Sequence, residues 1–311
     1  MSQPVVTSHQ ATGTRSKPDT LTNEQRKTRL AWIFLAPSLL MIAIVAIWPL
    51  LQTLYQSFTD AILASPQPVH FVGLDNYKRL VQDLAFRDSI ATTVRFTVIT
   101  VVFETILGMI IALVINSQFK GRGLMRTAML VPWAIPTVVS AEMWQWMYND
   151  VYGVIDDLLM KLHIISKPVA FLALPSTALP AVAAIDIWKT TPFMALLLLA
   201  GLQVIPSDVY EAAKIDGANG IQQYFRITLP LLRPALLVAL IFRTLDALRV
   251  FDVIYVVFGN RPDTMTMAVY NQENIVNFSD LGYGTTISVA IFIIIALFVL
   301  AYVSIFKVET D

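Results

Sequence analysis

The sequence has no cysteine and few charged residues. Without cysteine, disulfides and thiolate metal sites are excluded. Charged residues make up 14% of the chain, whereas soluble domains carry roughly 25%. The 22 basic residues equal the 22 acidic ones, so there is no basic excess of the kind that indicates nucleic-acid binding. Because a lipid-facing surface excludes charge, this shortage predicts an integral membrane protein that has lipid as one of its partners.

Several catalytic motifs are also missing. There is no G-x-x-x-x-G-K-[ST] phosphate loop, so this chain is not expected to hydrolyse ATP. Neither H-E-x-x-H nor G-x-S-x-G occurs, so nothing indicates a membrane-embedded enzyme. The histidines His9, His70 and His163 lie outside the long apolar stretches, which leaves no buried histidine for a metal site or a proton path. We therefore predict a chain that is not an enzyme and holds no metal and no cofactor of its own.

Long apolar stretches dominate the rest of the chain, which is 56% hydrophobic with a mean hydropathy of +0.64. A helix crosses the hydrocarbon core in roughly 20 residues. The stretches that meet this length are Leu30–Phe58, Ile90–Asn116, Leu124–Tyr148, Ala178–Ile205, Leu231–Phe258 and Tyr283–Phe306. Pro132 and Pro136 interrupt the third of them. The sequence therefore predicts an all-α membrane protein with six spans within residues 30–306.

The distribution of basic residues predicts the orientation of these spans. Lysine and arginine are concentrated in the tail 1–29 and in the short loop that contains Lys120, Arg122 and Arg126. Loops rich in lysine and arginine face the cytoplasm, so both termini are predicted to be cytoplasmic. The tail is rich in serine, threonine and glutamine and is predicted to be disordered. Residues 307–311 would form a cytoplasmic C-terminus.

Two loops carry helical patterns of their own. In the outer loop 150–165, apolar residues recur at helical spacing, which predicts a short interfacial helix. The loop Pro206–Pro230 predicts a helix, a glycine turn and a second helix. Its start and stop signals are Asp208 with Glu211, then Gly217, then Asn219 with Gln222, and finally Pro230. Such a hairpin could enter a cleft on another protein, or it could fold back on its own bundle.

The loop Pro206–Pro230 resembles the EAA motif of ABC importer permeases. The matching residues are Glu211, Ala212 and Ala213, then Asp216, Gly217 and Ala218, then Ile227, Leu229 and Pro230. Further segments are similar to the maltose and trehalose permease group: Trp48-Pro49, Gly73–Tyr77, Trp188–Phe193, Phe251–Tyr255 and Leu281–Gly284. The chain departs from that group at Phe258–Pro262, where Arg261 stands in place of a glycine and changes flexibility and charge on the outer side.

This resemblance implies a fold, a location and a set of partners. It implies the type I ABC importer permease architecture in a bacterial plasma (inner) membrane. The implied partners are a second homologous permease, two ATPase subunits that bind ATP and Mg, and an extracytoplasmic sugar-binding protein. The substrate would be a sugar, such as the disaccharides trehalose or maltose, moved inward by alternating access. Glu211, Ala212, Ala213, Asp216, Gly217, Ile227, Leu229 and Pro230 would then couple the chain to the ATPase.

Glycerol phosphate and other oligosaccharide permeases share these motifs, so the motifs leave the sugar open. A secondary transporter driven by an ion gradient is the alternative. It would show inverted repeats, and we find none.

Charged residues inside the predicted spans are the candidates for the substrate pathway. Arg243, Asp246, Arg249 and Asp252 alternate in sign every three residues, and Asp186 and Lys189 have the same spacing. These charges could bind sugar hydroxyls, or they could form internal ion pairs. Trp188, Thr190 and Tyr255 are further candidates, although single aromatic residues often only pack. Glu104 and Glu142 could relay protons or form hydrogen bonds between helices.

Overall fold

A computed structural model describes residues 23–306, which are mostly helical. The α-helices of this part are α1 (Asn23–Ile42), α2 (Trp48–Gln56), α3 (Asp75–Gln82), α4 (Leu84–Asn116), α5 (Arg122–Met129), α6 (Val131–Ala134), α7 (Thr137–Met147), α8 (Val154–Lys161), α9 (Pro175–Leu202), α10 (Ser207–Ile215), α11 (Gly220–Gln223), α12 (Leu229–Ala247), α13 (Asp252–Phe258), α14 (Met267–Gln272) and α15 (Leu281–Phe306). Three π-helical turns, Ala43–Ile47, Tyr224–Thr228 and Glu273–Asn277, join neighbouring helices. Between residues 23 and 306, β-structure is limited to the bridges Thr59–Phe71 and Ile62–Asp280.

The helices account for the predicted membrane spans. Within the described residues, five helical segments are long and apolar enough to cross a membrane: Arg26–Gln56, Leu84–Asn116, Pro175–Leu202, Gly220–Phe258 and Leu281–Tyr302. A sixth span is a broken pair, Arg122–Ala134 and Thr137–Met147, bent by 90°. The break falls at Pro136, which disfavours helical geometry at the residue before it, and Ile135 is accordingly extended. The all-α, six-span prediction holds when the broken pair counts as one span.

The N-terminal boundary differs from the prediction. Helix α1 begins at Asn23, so residues 23–29 are helical and do not belong to a disordered tail. Glutamate, glutamine, lysine and arginine, which follow Asn23, are good helix formers, and this explains the extension. The rest of the predicted tail, 1–22, and the predicted C-terminus, 307–311, lie outside the described residues. The chain forms two compact units that divide between Gln52 and Thr53, and everything discussed below belongs to the second.

Helices α4 and α9 form the centre of this second unit and run parallel to each other. Glu104 of α4 meets Thr190 of α9, and four residues further along both helices Gly108 meets Met194. Two buried apolar clusters lie along α4 and α9, one on each side of Glu104. The first contains Phe96 and Ile185, and its members are Leu80, Phe86, Phe96, Ala141, Val182, Ala183, Ile185, Val253, Ile254, Val257, Met265, Met267, Val269, Tyr270, Tyr283 and Ile287. A second cluster on the other side consists of Met109, Ala112, Ile115, Met194, Leu198, Leu199, Leu202, Leu232 and Ala239. The charged residues described below therefore lie between two apolar layers.

The predicted helix of the outer loop is present as α8, Val154–Lys161, inside the segment 150–165. Its exposed Asp157 and Lys161 form an ion pair one turn apart, at 2.6 Å. Its position at a membrane interface stays a prediction.

Gly201 sets the approach of α9 to α12, and this gives a prediction about stability. A Cβ at position 201 would lie 2.4 Å from the Cβ of Ala235 and 2.7 Å from a methyl carbon of Leu232. We expect Gly201→Ala to lower the free energy of unfolding by about 1–3 kcal/mol, because overpacking forces the two helices apart. The measurement is thermal unfolding of the detergent-purified chain.

Gly123→Ala is the matched control, since nothing lies within 4 Å of a Cβ built there and alanine is the better helix former. Equal melting temperatures for Gly201→Ala and the unmodified chain would contradict the close packing of α9 on α12.

Candidate functional site

The loop Pro206–Pro230 contains the predicted glycine turn, and we call α10, this turn and α11 together the hairpin. Gly217 has a φ of +79°, which glycine adopts without strain. Its N–H donates to the carbonyl of Lys214 at 3.1 Å, and the N–H of Ala218 donates to the carbonyl of Ala213 at 2.9 Å. This pair of bonds is a Schellman motif. The prediction that Gly217 lies just past the end of a helix is confirmed.

The two helix-start signals of the hairpin have different outcomes. Asn219 and Gln222 form a reciprocal capping box with both hydrogen bonds at 2.9 Å, so the second signal is confirmed. The first signal marks the helix correctly, but Asp208 does not cap it. Helix α10 begins at Ser207, one residue earlier, and the Asp208 side chain accepts the N–H of the adjacent Val209, at 3.0 Å. Because Asp208 lies inside the first turn, it favours the helix through its charge near the positive end of the helix dipole instead of by capping.

Pro230 does not end the second helix. Helix α11 continues through the π-helical turn Tyr224–Thr228 directly into α12, where Pro230 occupies the first turn. Inside a continuous helix, proline removes one backbone hydrogen bond and its ring crowds the preceding turn. The N–H of Leu229 bonds the carbonyl of Tyr224, five residues earlier, and this wider turn carries the helix past the proline. The hairpin is therefore continuous with the fifth span.

Large apolar side chains are exposed on the hairpin and just after it. Ile215 is 87% exposed, Ile221 72% and, in the π-helical turn that follows α11, Phe225 61%. The residues of the predicted coupling set differ in exposure. Glu211, Ala212, Asp216, Gly217 and Pro230 are exposed, while Ala213, Ile227 and Leu229 are half-buried. Exposed apolar side chains that lie together are typical of an interaction site.

At the centre of the bundle, Arg243 of α12 is surrounded by carboxylates from three helices. Its side chain is 2% exposed. It donates two hydrogen bonds to Glu104 of α4, one to Asp186 of α9 at 2.5 Å, and one to Asp246 of its own helix at 2.5 Å. Glu104 is fully buried and also accepts from the hydroxyl of Thr190 at 2.6 Å. We call Glu104, Asp186, Arg243 and Asp246 the charge cluster.

The charge cluster shows which of the charged residues within the spans form contacts inside the bundle. The Arg243–Asp246 pair, three residues apart, is present as the spacing allows, and Glu104 forms hydrogen bonds between helices. Glu142, whose position inside a predicted span implies burial, is exposed on α7, so that expectation is wrong. The 90° bend before α7 changes the direction of this half-span.

Arg249 and Asp252 do not continue the row of Arg243 and Asp246. Helix α12 ends at Ala247, and α13 begins at Asp252. In the part of the chain that the structure describes, Arg249 forms no ion pair within 4.0 Å and bonds the carbonyl of Leu245 at 3.3 Å. Thr266 satisfies the carbonyl of Val250 inside the break, at 3.0 Å. Because the fifth span is not one helix, Arg249 does not form the internal ion pair with Asp246 or Asp252 that their three-residue spacing suggested.

The break in the fifth span opens a cavity of about 250 Å³ beside the charge cluster. Its charged lining consists of Asp186, Lys189, Arg243, Asp246, Arg249 and Asp252, and Thr190 and Trp133 are among its polar and aromatic residues. The structure thus brings all the predicted pathway residues except Trp188 and Tyr255 to one cavity. Trp188 and Tyr255 are not part of this lining: Trp188 packs edge-on against Trp144 at 5.4 Å, and Tyr255 stacks on Phe251 at 5.1 Å.

Lys189 has a structural role that its spacing from Asp186 did not indicate. Its ammonium group donates to the carbonyls of Ile135 at 2.6 Å and Trp133 at 3.4 Å. These carbonyls are left free where the third span breaks between α6 and α7. A cation at the C-terminal end of a helix is favourable, so Lys189 stabilises the break.

Arg261, which departs from the resembling group, fixes the loop after α13. It forms a two-pronged ion pair with Asp263, at 2.5 and 2.6 Å, and donates to the carbonyl of Leu172 at 2.5 Å. The hydrogen bonds from Arg261 hold the pKa of Asp263 below its usual value. An arginine therefore ties this loop to the loop that precedes α9, where a glycine would leave the chain flexible.

Asp83, which sequence reasoning missed, joins three helices at the start of α4. It caps α4 by accepting the N–H of Phe86 at 3.2 Å, and it accepts the hydroxyls of Tyr270, at 2.5 Å, and Tyr283. Burial alone would raise the pKa of Asp83, but the hydrogen bonds outweigh it and lower the pKa. An aspartate before an apolar helix is a recognisable cap signal, although the two tyrosines are distant in sequence.

Within residues 23–306, no three histidine, cysteine, aspartate or glutamate side chains are grouped so that they could hold a metal ion.

Comparisons with known proteins agree with this architecture. The family described as "Binding-protein-dependent transport system inner membrane component" matches residues 104–308. MalF, the trehalose/maltose transport system permease protein of Thermococcus litoralis, is 42% identical over 287 residues, which are 92% of this chain and 96% of the relative. SmoG, the sulfoquinovosyl glycerol permease protein of Agrobacterium fabrum, is 40% identical and covers 85% of each chain. SugA, the trehalose permease protein of Mycobacterium tuberculosis, is 36% identical and covers 89% of each.

Solved structures give the fold. A bacterial ABC transporter involved in the import of the acidic polysaccharide alginate matches with a TM-score of 0.78 over 93% of this chain and 98% of the other, at 23% identity. The type I permease fold that the resemblance implied is thus confirmed. The family match covers more than half of the chain and begins at Glu104, the residue that anchors the charge cluster. This chain belongs to the family of binding-protein-dependent transport system inner membrane components, and is a multi-pass permease of the ABC importer type.

Proposed function

We propose that this chain is one of two permease subunits in an ATP-driven importer of a neutral sugar, with a disaccharide such as trehalose or maltose as its substrate. The observation that carries the proposal is the continuity of the exposed hairpin with the fifth span, whose other end lines the charged cavity. One helical segment thereby joins a partner-binding surface to a polar site. Family membership is incompatible with the ion-gradient-driven secondary transporter that the sequence left open.

The hairpin is the proposed contact with an ATPase subunit. The exposed Ile215 and Ile221 of the hairpin, together with Phe225 just after it, would fill an apolar cleft on the ATPase subunit. Glu211 would lie on the neighbouring face. ATP and Mg would be bound by the two ATPase subunits, and their closure would displace the hairpin. Because the hairpin continues into α12, this displacement would reorient the span. The cavity would then open first to one side of the membrane and then to the other. Both termini and the hairpin would then lie in the cytoplasm, with α8 on the outer surface, where a sugar-binding protein delivers the substrate.

The cavity supports a neutral sugar as substrate. Its charged lining is balanced, with the carboxylates of Asp186, Asp246 and Asp252 against the cations Lys189, Arg243 and Arg249. Arg243 is engaged by carboxylates and Lys189 by backbone carbonyls. The Asp246 side chain is 69% exposed despite its bond to Arg243, and its carboxylate can accept hydrogen bonds from sugar hydroxyls. Arg249, Asp252 and Thr190 would supply further hydrogen bonds. A lining without excess positive charge gives no preference for a sulfonated or acidic sugar, and this distinguishes the proposed substrate from those named for SmoG and the alginate transporter.

The coupling role predicts a separation of ATP hydrolysis from transport. We expect Glu211→Lys and Gly217→Pro to abolish sugar uptake by the reconstituted complex while ATP hydrolysis continues. Glu211→Lys reverses the charge on the contact face. Gly217→Pro introduces a residue that cannot adopt the φ of +79° at position 217. Uptake and phosphate release are measured on the same proteoliposomes.

Gly220→Ala serves as the control, because nothing lies within 4 Å of a Cβ at position 220. It should keep the normal ratio of sugar to ATP. Normal uptake by both Glu211→Lys and Gly217→Pro would refute the coupling role.

The substrate role of the cavity predicts a change in apparent affinity. Asp246→Asn should raise the KM for sugar by roughly 10-fold or more, since hydrogen bonds to charged groups contribute about 1.5–3 kcal/mol. Arg243 keeps Glu104 and Asp186 as partners in this variant, so assembly of the complex should be unaffected. The measurement is the concentration dependence of labelled sugar uptake.

Asp157→Asn, on the exposed surface of α8, is the matched control and should keep the normal KM. An unchanged KM for Asp246→Asn in a fully assembled complex would remove Asp246 from the sugar site.

A further inference from the structure

A chain of hydrogen bonds closes the hairpin onto the fifth span. The Tyr210 hydroxyl of α10 lies 3.0 Å from the Thr228 hydroxyl in the π-helical turn. The Thr228 hydroxyl donates to the carbonyl of Gln223 at 3.4 Å. The Gln223 side-chain amide donates to the carbonyl of Ala218 at 2.8 Å. The chain of contacts therefore runs from α10, through the start of the fifth span, back to the turn that follows α10.

The Tyr210–Thr228 contact is the shorter of the two bonds of the Thr228 hydroxyl. A hydroxyl group can both donate and accept, so either residue can be the donor in this bond. Thr228 is only 4% exposed, so water does not readily replace Tyr210, and an unsatisfied group there is unfavourable.

The Tyr210–Thr228 bond has no substitute elsewhere on α10. Among the described residues, it is the one side-chain hydrogen bond between α10 and the rest of the protein, because the other such bond of α10 joins Asp208 to the neighbouring Val209. Glu211 and Lys214 form no ion pair within 4.0 Å in this same part of the chain. The covalent connection after α10 passes through Gly217, which is exposed and has nothing within 4 Å of a Cβ position. The Schellman bonds fix the turn itself, and the Tyr210–Thr228 bond is the side-chain contact that holds α10 against the fifth span.

The bond also lies where the helix geometry changes. Tyr224–Thr228 is π-helical, between α11 and α12, and π-helical turns inside α-helices are rare and often occur at functional sites. Thr228 is the last residue of that turn, so Tyr210 contacts the fifth span where its regular α-helix starts.

We propose that Tyr210 and Thr228 are positioning residues that fix the angle between α10 and the fifth span, so that a displacement of α10 moves α12 instead of pivoting at Gly217. This inference rests on the proposed function, in which an ATPase subunit displaces α10. In this inference, the movement of α10 is passed to α12 through one contact between two hydroxyl groups. This contact lies outside the exposed face that would contact the ATPase.

Hydroxyl deletions test the inference in the complete reconstituted complex. Tyr210→Phe and Thr228→Val each remove one partner and keep nearly the same shape. Each should lower the sugar transported per ATP hydrolysed by about fivefold, the factor that corresponds to one hydrogen bond of typical strength. The double variant should be no worse than either single variant, because both deletions break the same bond. Thr228→Ser, which retains the hydroxyl, should keep the normal ratio.

Tyr224→Phe is the matched control. In the described structure the Tyr224 hydroxyl has no hydrogen bond, and its ring packs on Phe225 at 4.9 Å. This variant should behave like the unmodified chain. Amide hydrogen exchange gives a second readout that does not depend on transport: Tyr210→Phe should increase exchange in α10 and leave α12 unchanged.

The outcomes separate this inference from the proposed function. If the unmodified chain neither assembles with an ATPase nor supports ATP-dependent uptake, the proposed function fails. If the unmodified chain couples normally and Tyr210→Phe and Thr228→Val keep its ratio, only the positioning role is wrong. Additive losses in the double variant, or unchanged α10 exchange in Tyr210→Phe, would also overturn it.

Discussion

The structure depends on one buried cation. Arg243 has little contact with water, and an unpaired charge at that depth is strongly destabilising. Its guanidinium donates hydrogen bonds to Glu104, Asp186 and Asp246, and the first two of these carboxylates are buried with it. Those carboxylates belong to α4, α9 and α12, so the cluster fixes how the three helices are rotated and shifted against each other. Apolar layers above and below add packing energy, but leucine and methionine contacts tolerate small shifts that a set of directional hydrogen bonds does not.

The polar centre also permits the interruptions in the spans. Backbone that leaves helical geometry at membrane depth has to find partners inside the protein. Lys189 provides them for the carbonyls of Trp133 and Ile135, and Thr266 does so for the carbonyl of Val250. Both breaks border the cavity. The same polar groups therefore stabilise irregular backbone and leave space for a hydrophilic ligand, and a bundle of uninterrupted apolar helices would have no such cavity.

Features that depend on neighbouring residues were predictable from the sequence, and features that depend on distant contacts were not. The spans follow from apolar length, and Gly217 and the Asn219–Gln222 box follow from local backbone rules. Arg243 was identifiable as a charge in a span, but its partner Glu104 is 139 residues away, and no local rule connects them. The same applies to Lys189 and the carbonyls it caps. A local rule treats proline as a helix stop and therefore predicts that the helix ends at Pro230. The π-helical turn before Pro230 lets the helix continue past it.

The two candidate sites are connected by the geometry of α12. From Leu229, next to the π-helical turn, to Arg243 is 14 residues, or roughly 21 Å of α-helix at 1.5 Å per residue. Pro234 lies within this stretch and removes one backbone hydrogen bond, but the segment stays α-helical from Leu229 to Ala247, so a rotation imposed at the hairpin end is transmitted to Arg243 and Asp246. Asp186 and Glu104 belong to other helices and do not have to follow. A movement of α12 would therefore change the distances within the charge cluster, and the ion pairs would oppose it. The cluster thus defines a resting arrangement of the bundle, and under the proposed function the hairpin is the point from which that arrangement would be changed.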